Sequence, residues 1–194
     1  MADSTQKALT ASIWPLTAER WPDLERLFGP HGASSGCWCM WWRLPRKQWE
    51  AQRGEANRRA FQAIVAVGEE PGLLAYVGEE PVGWCAVAPR GSYPSMERAP
   101  TLKSVDNLPV WAVSCFFIAQ PWRRHGLSLA LLRQAVAFAR GKGAQVVEGY
   151  PREASTGRMA DDWLWTGLPS AFRQAGFVEV VRRSPTRPIM RCLP

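Results

Sequence analysis

Four consecutive residues, Arg123-Arg124-His125-Gly126, stand directly before an apolar-periodic run that starts at Leu127. A helix opening there leaves its first N–H groups without partners and carries a partial positive charge, which makes an anion site. Gly126 lets a phosphate approach the backbone closely, and the two arginines add charge-assisted hydrogen bonds. The spacing predicts pyrophosphate binding; a surface arginine pair at an ordinary helix cap is the alternative. The run matches neither GxxxxGK(S/T) nor GxGxxG, so P-loop and Rossmann readings fit poorly.

Asp161-Asp162-Trp163-Leu164-Trp165 sets two carboxylates beside two aromatic rings, which can hold a cationic amine by ion pairing and cation–π contact. Ordinary loop residues would look the same. Cys37-Trp38-Cys39 invites a metal reading, yet no second Cys/His pair stands at zinc-site spacing, and His31 and His125 are the only histidines. No metal is expected; thiols packed beside tryptophans are the simpler account. Cys115 has no histidine near it in sequence and sits in an apolar run, which suits packing better than nucleophilic attack. The clustered Trp38, Trp41 and Trp42 fill a core or line a pocket.

The elements that must position these residues follow from periodicity. VWAVSCFFI, Val110–Ile118, is a near-continuous apolar strand of the kind covered on both faces. From Leu127, the residues Leu131, Leu132, Ala135, Phe138 and Ala139 form one helical stripe that ends near Gly141 and Gly143. Residues 144–150 (AQVVEGY) form the next strand. Strand, helix, strand is a βαβ unit with parallel strands. Upstream, 12–16 read as a short strand, and Thr17 caps a helix through Phe28. A second helical pattern, with Gly54 as its break, covers 49–65, and 73–77 with 82–87 make a hairpin across Gly78-Glu79-Glu80-Pro81. Two long loops, 90–109 and 152–168, have the size that functional segments have. Pro169 starts a short helix, and 177–183 with 188–193 close an antiparallel pair. The pattern predicts one α/β domain over 12–194 behind a flexible tail at 1–11.

Composition sets outer bounds. The 194 residues are 46% hydrophobic and 21% charged, enough apolar material for a core. No apolar stretch approaches the roughly 18 residues of a membrane span, and MADSTQKALTASIW lacks a secretory pattern, so a cytoplasmic protein away from membranes is expected. Five cysteines, an odd number, then fit reduced thiols. The formal charge of +7 suits a polyanionic partner, whether a nucleotide-bearing cofactor, RNA or an acidic surface.

FFIAQPWRRHGLSLALLRQAVAFARGKGAQVVEGYP resembles the central acetyl-CoA motif of the GNAT N-acetyltransferase superfamily: a strand, then Arg/Gln-x-x-Gly-x-Gly/Ala, then a helix. The match is Arg123-Arg124-His125-Gly126-Leu127-Ser128. Phe172-Arg173-Gln174-Ala175-Gly176-Phe177 is similar to the family's Tyr-x-x-x-Gly-Phe, with Phe172 in place of the tyrosine. The two motifs cover about a third of the chain and leave Cys37–Trp42 outside. The resemblance implies an α/β fold with a mixed, mostly antiparallel sheet, a central parallel β-α-β splay and helices on both faces. It implies acetyl-CoA as co-substrate, its pyrophosphate on the N–H groups of Arg124, His125, Gly126, Leu127 and Ser128 with Arg123 beside it. The pantetheine arm would pair with Phe116, Phe117 and Ile118 like an added strand.

The activity so implied is direct acetyl transfer to an amine in a ternary complex. An amine must lose a proton first; Glu148 is the carboxylate best placed for that, or it is a salt-bridged strand residue. Tyr150 is a substitute for the missing general acid, or a packing tyrosine. Asp161, Asp162, Trp163 and Trp165 would bind the acceptor, with Tyr93 and Met96 lining the same cleft. The acceptor is a small-molecule or peptide amine; a protein amine or a charged tRNA is the macromolecular alternative, and a non-catalytic CoA-binding module is a third. No nucleic-acid recognition motif is visible. Either a monomer or a homodimer is compatible.

Overall fold

In the computed structural model, residues 10–153 and 165–193 are described. The elements in chain order are β1 (Ser12–Pro15), α1 (Trp21–Phe28), α2 (Arg46–Ala51), α3 (Glu55–Ala66), β2 (Gly72–Val77), β3 (Glu80–Pro89), β4 (Val110–Ile118), α4 (Leu127–Gly141), β5 (Val146–Gly149), α5 (Pro169–Gln174), β6 (Val178–Arg182) and β7 (Pro188–Cys192). The strands form one seven-stranded sheet in the order β1-β2-β3-β4-β5-β7-β6. Only β4 and β5 run parallel; every other pairing is antiparallel. The mixed sheet with one central β-α-β crossover is therefore the expected one.

Strand alternation sends side chains to two faces. Leu73, Ala75 and Cys85 meet α4 and α5, where Leu131, Leu132, Ala135 and Phe172 complete one core. Leu74, Tyr76 and Trp84 face the other way, onto α1, α3 and the tryptophan-rich segment. That segment is core: Trp38 stacks on Trp21 at 6.1 Å, and Trp41 meets Trp49 edge-on at 4.7 Å. Gly54, at φ +86°, separates α2 from α3 as the sequence predicts. At Thr17 the outcome differs. Its side chain makes no cap bond; residues Ala18–Arg20 form a 3-10 turn, and α1 starts at Trp21 with Pro22 in its first turn.

The 90–109 connection is a packed layer rather than an open loop. Three 3-10 turns shape it, and Tyr93, Met96 and Leu102 are buried against Ala112, Tyr150 and Ile189. Met96 and Tyr93 are thus core residues. No helix among the described residues is long and apolar enough to cross a membrane.

Phe172 illustrates how tightly the α4–α5 face is packed. Its ring lies edge-on to Phe177 at 5.0 Å and to Phe116 at 6.2 Å. A Cβ added at Gly149 would fall 2.0 Å from the Phe172 ring. Gly149→Ala is expected to cost about 1–3 kcal/mol through overpacking, read as a lower urea midpoint. Phe172→Leu on the Gly149→Ala background should recover part of that loss; strictly additive costs would show that the two residues do not compete for space.

Candidate functional site

The site grows from an irregularity in β4. Ala86 of β3 pairs with Cys115 and Val87 with Val113, so Ser114 is an extra residue, a β-bulge. A bulge raises the local twist and re-aims side chains. On the opposite edge, β4 pairs with β5 only from Val110↔Val146 to Val113↔Gly149. Beyond that point the strands part. The chain leaving β5 turns to other partners: Arg152 N–H donates to Gly167 O at 2.9 Å, and Glu153 N–H to Thr186 O at 2.9 Å. The edge of β4 beyond the bulge faces a gap, and there Phe116 N–H donates to the carbonyl of Trp165 at 2.6 Å. Segment 165–167 therefore bridges the gap, held by Phe116 on one side and Arg152 on the other.

The start of α4 lies just beyond the end of β4. Arg124 and Gly126 both have positive φ, +65° and +79°, so the turn folds through left-handed conformations before the helix begins. No hydrogen bond among the described residues uses the N–H groups of His125, Gly126, Leu127 or Ser128, while Gly126 O accepts from Leu129 and Ala130. Arg124, His125 and Gly126 are exposed, and nothing lies within 4 Å of where a Gly126 side chain would start. Leu127 is buried and anchors the helix, so its main chain alone is available. An open row of amides at a helix start fits the oxygens of a diphosphate. Arg123 Nε donates to Ile118 O at 3.1 Å, tying the turn to β4, and Arg124 is exposed.

Glu148 and Tyr150 are brought together in a buried cluster of charges. Glu148 is fully buried. Its Oε2 accepts from Arg191 Nε at 2.7 Å; its Oε1 accepts from Tyr150 Oη at 2.6 Å and from Arg90 Nη1 at 3.4 Å. Arg191 also forks onto Asp106 at 2.6 and 3.1 Å, and Arg90 bonds Glu97, the Leu102 carbonyl and the Tyr150 hydroxyl. Burial and the adjacent Glu148 charge push the Tyr150 phenol well above its ordinary value, so it stays neutral and donates. A general base needs a lone pair facing the amine or its water. Both Glu148 oxygens are engaged by cations and a hydroxyl, the arrangement of the salt-bridged strand residue and packing tyrosine that the sequence offered as alternatives to base and acid. They clamp the 90–109 layer to β5 and β7.

Of the acceptor candidates, Asp161, Asp162 and Trp163 lie outside the described residues. Trp165 reaches the gap through its carbonyl, and its ring lies 5.9 Å from that of Trp42. Cys115 packs beside Cys39, whose sulfur accepts from Trp84 Nε1 at 3.0 Å. Hydrogen bonds from Cys115 and Trp84 lower the Cys39 thiol, whereas burial lifts Cys37 to about 11. Among the described residues no group of three or more His, Cys, Asp or Glu is disposed to hold a metal. The sequence reading missed the Ser114 bulge, for which an apolar run carries no signal. It also missed Arg90 and Arg191; an arginine inside the apolar strand PIMRC was a legible sign that an acid must face it.

Comparison with known proteins adds a family. Residues 38–156, more than half of the chain, match the model of the acetyltransferase (GNAT) family. No curated protein matches the sequence. Among solved structures, the chain resembles a PaiA N-acetyltransferase from Thermoplasma acidophilum in complex with coenzyme A (TM-score 0.54, 13% identity, 95% of this chain and 99% of that one). It is also similar to the NatC complex bound to Gag peptide and CoA (0.53, 10%, 95% and 98%). A third likeness is to histone acetyltransferase HPA2 and related acetyltransferase from Corynebacterium glutamicum (0.51, 15%, 95% and 97%). At these identities the likeness is one of fold.

The buried clamp has a direct consequence. Glu148→Gln leaves Arg191 facing a neutral amide and should cost about 3–5 kcal/mol in urea unfolding, the range for breaking one side of a buried pair. A loss below about 1 kcal/mol would show that the carboxylate is not the keystone.

Proposed function

The chain belongs to the acetyltransferase (GNAT) family, and we propose that it moves the acetyl group of acetyl-CoA directly onto a primary amine in a ternary complex. The observation that carries this reading is the pairing of two features: unpartnered amides opening α4, and a bulged strand edge presenting Phe116 N–H to a carbonyl across the β4–β5 gap. In the contact with Trp165 that N–H donates to a carbonyl oxygen. A thioester carbonyl offers the same atom in the same direction. As negative charge builds on that oxygen the hydrogen bond strengthens, which is how a fixed main-chain donor favours the transition state.

In this reading the N–H groups of Arg124, His125, Gly126, Leu127 and Ser128 hold the diphosphate, and Phe116, Phe117 and Ile118 flank the pantetheine arm. Acetyl-CoA supplies the activated acyl group and a thiolate leaving group of ordinary pKa about 8.5. Arg123 keeps the turn registered on Ile118. Because Glu148 and Tyr150 are engaged elsewhere, the proton of the amine goes to solvent water, and no side chain is assigned as acid. The bulge turns Cys115 toward the tryptophan-rich face, so the amine approaches from that side, past Trp42 and Trp165.

Two measurements test this. Acetyl-CoA at 100 times its Kd should stabilise the fold by about 2.7 kcal/mol in a thermal-shift assay. Gly126→Glu should abolish that shift, whereas Gly126→Asn, which tolerates positive φ and adds no charge, should retain it; equal shifts in both would place the diphosphate elsewhere. Saturating acetyl-CoA should also speed amide exchange at Arg152, whose N–H donates to Gly167 O, since a bound thioester takes the donor that Trp165 now uses and releases segment 165–167. Unchanged exchange would mean that the gap stays bridged and the arm lies on another path.

A further inference from the structure

Arg187, immediately before β7, holds two buried guanidinium nitrogens, Nε and Nη2, that have no hydrogen-bond partner among the described residues. These two are not a random pair. They are the parallel donors along one edge of the guanidinium, the edge whose spacing matches the two oxygens of a carboxylate. Burial, and then the charge of nearby Arg152, lower Arg187 to about 10. It is still a cation at neutral pH, half-buried and with a like charge nearby. Neighbouring arginines are matched differently: Arg191 has Asp106 and Glu148, Arg90 has Glu97 and Glu148, and Arg182 has Glu179 and Glu153. A buried cation without a counter-charge is among the costlier arrangements in a protein.

The sheet locates this cation relative to the gap. Glu153 N–H donates to Thr186 O and Arg152 N–H to Gly167 O, so the chain leaving β5 runs between segments 165–167 and 186–187. Segment 165–167 in turn meets Phe116. Three strand spacings, about 14 Å in all, thus separate the Phe116 main chain from that of Arg187. Tyr150 and Ile189 share the 90–109 layer, and Glu148 meets Arg191 on the same side of the sheet, the side toward which the bulge turns Cys115. Arg152 and Arg187 lie just beyond the ends of β5 and β7, near enough for their charges to interact.

We propose that the Nε–Nη2 edge of Arg187 seats a carboxylate carried by the amine acceptor, so that the acceptor is a small amino-acid-like molecule. This rests on the acyl-transfer reading above and narrows it. The carboxylate completes the two orphaned donors of Arg187, while the amine end points back toward Phe116. A site of this kind selects by exclusion as well as attraction: a neutral analogue would leave the guanidinium buried and unpaired.

Binding and turnover test it separately. N-acetylglycine, a product-like carboxylate, should raise the melting temperature of the wild-type protein, and N-acetylglycinamide should not. Arg187→Gln should lose this difference while keeping the full acetyl-CoA shift. Its own stability should be no lower than wild type without ligand, because an unpaired charge has been removed. In thiol-release assays over amino acids paired with their carboxamides, wild type should favour the free carboxylate about 10- to 100-fold in kcat/KM, the worth of a charge-assisted pair. Arg187→Gln should remove the preference through KM, and Arg187→Lys, which keeps charge but not the fork, should retain part of it. Equal use of acids and amides by the wild type, or undiminished preference in Arg187→Gln, overturns the assignment. Loss of acetyl-CoA binding by the wild type would instead sink the acyl-transfer reading, and the N-acetylglycine comparison would still judge Arg187.

Discussion

The parallel pairing between β4 and β5 lasts four residues and then stops, and the rest of the site depends on that stop. Two strands leaving a shared register would ordinarily keep exchanging hydrogen bonds, because each unpaired main-chain group left in the interior is costly. Here the bulge at Ser114 turns β4 away on one side. On the other, the chain after β5 finds substitute partners in Gly167 and Thr186. The result is a strand edge with a donor at Phe116 and room for a carbonyl beside it. The helix that must follow β4 then starts close to the mouth of the gap, so a row of unused amides and a strand edge that donates to a carbonyl come from one continuous strand–turn–helix.

Charge organises the wall behind that gap. Glu148 is a buried anion that survives because Arg191, Arg90 and Tyr150 surround it, and through them it fastens the 90–109 layer to the sheet. Asp106 is held below its ordinary 3.8, chiefly by its hydrogen bond to Arg191. A carboxylate with a lowered value contributes stability that is complete above 3.8 and fades only as pH falls through the lowered value. The clamp is thus intact across the neutral range. Among the described residues Arg187 breaks the pattern of matched charges, with two guanidinium nitrogens left without a partner. Paired charges hold the scaffold; the unmatched one is free to select.

The local periods of the sequence were sufficient for the elements around the gap. An unbroken apolar run makes a strand covered on both faces, the stripe from Leu131 to Ala139 makes α4, and Gly126 marks the turn that opens it. These depend on residues within a few positions of one another, which is why they were legible. Thr17 was misjudged as a helix cap because Pro22 and a 3-10 turn compete within that same short window.

What tertiary structure alone decided is the task of each charged residue. Glu148 looked like a base because a carboxylate at a strand end is well placed for one; it is a structural anion because Arg191 and Arg90, 43 and 58 residues away in sequence, arrive on both its oxygens. The bulge at Ser114 arises from a register between β3 and β4 that no single strand encodes. Arg187 is one of many arginines in the chain, and only the packing of three separate segments leaves its donor edge buried and unmatched. Nearest neighbours along the chain dictate which elements form. Electrostatic roles wait on desolvation and on partners brought from far away, and those exist only once the sheet is assembled.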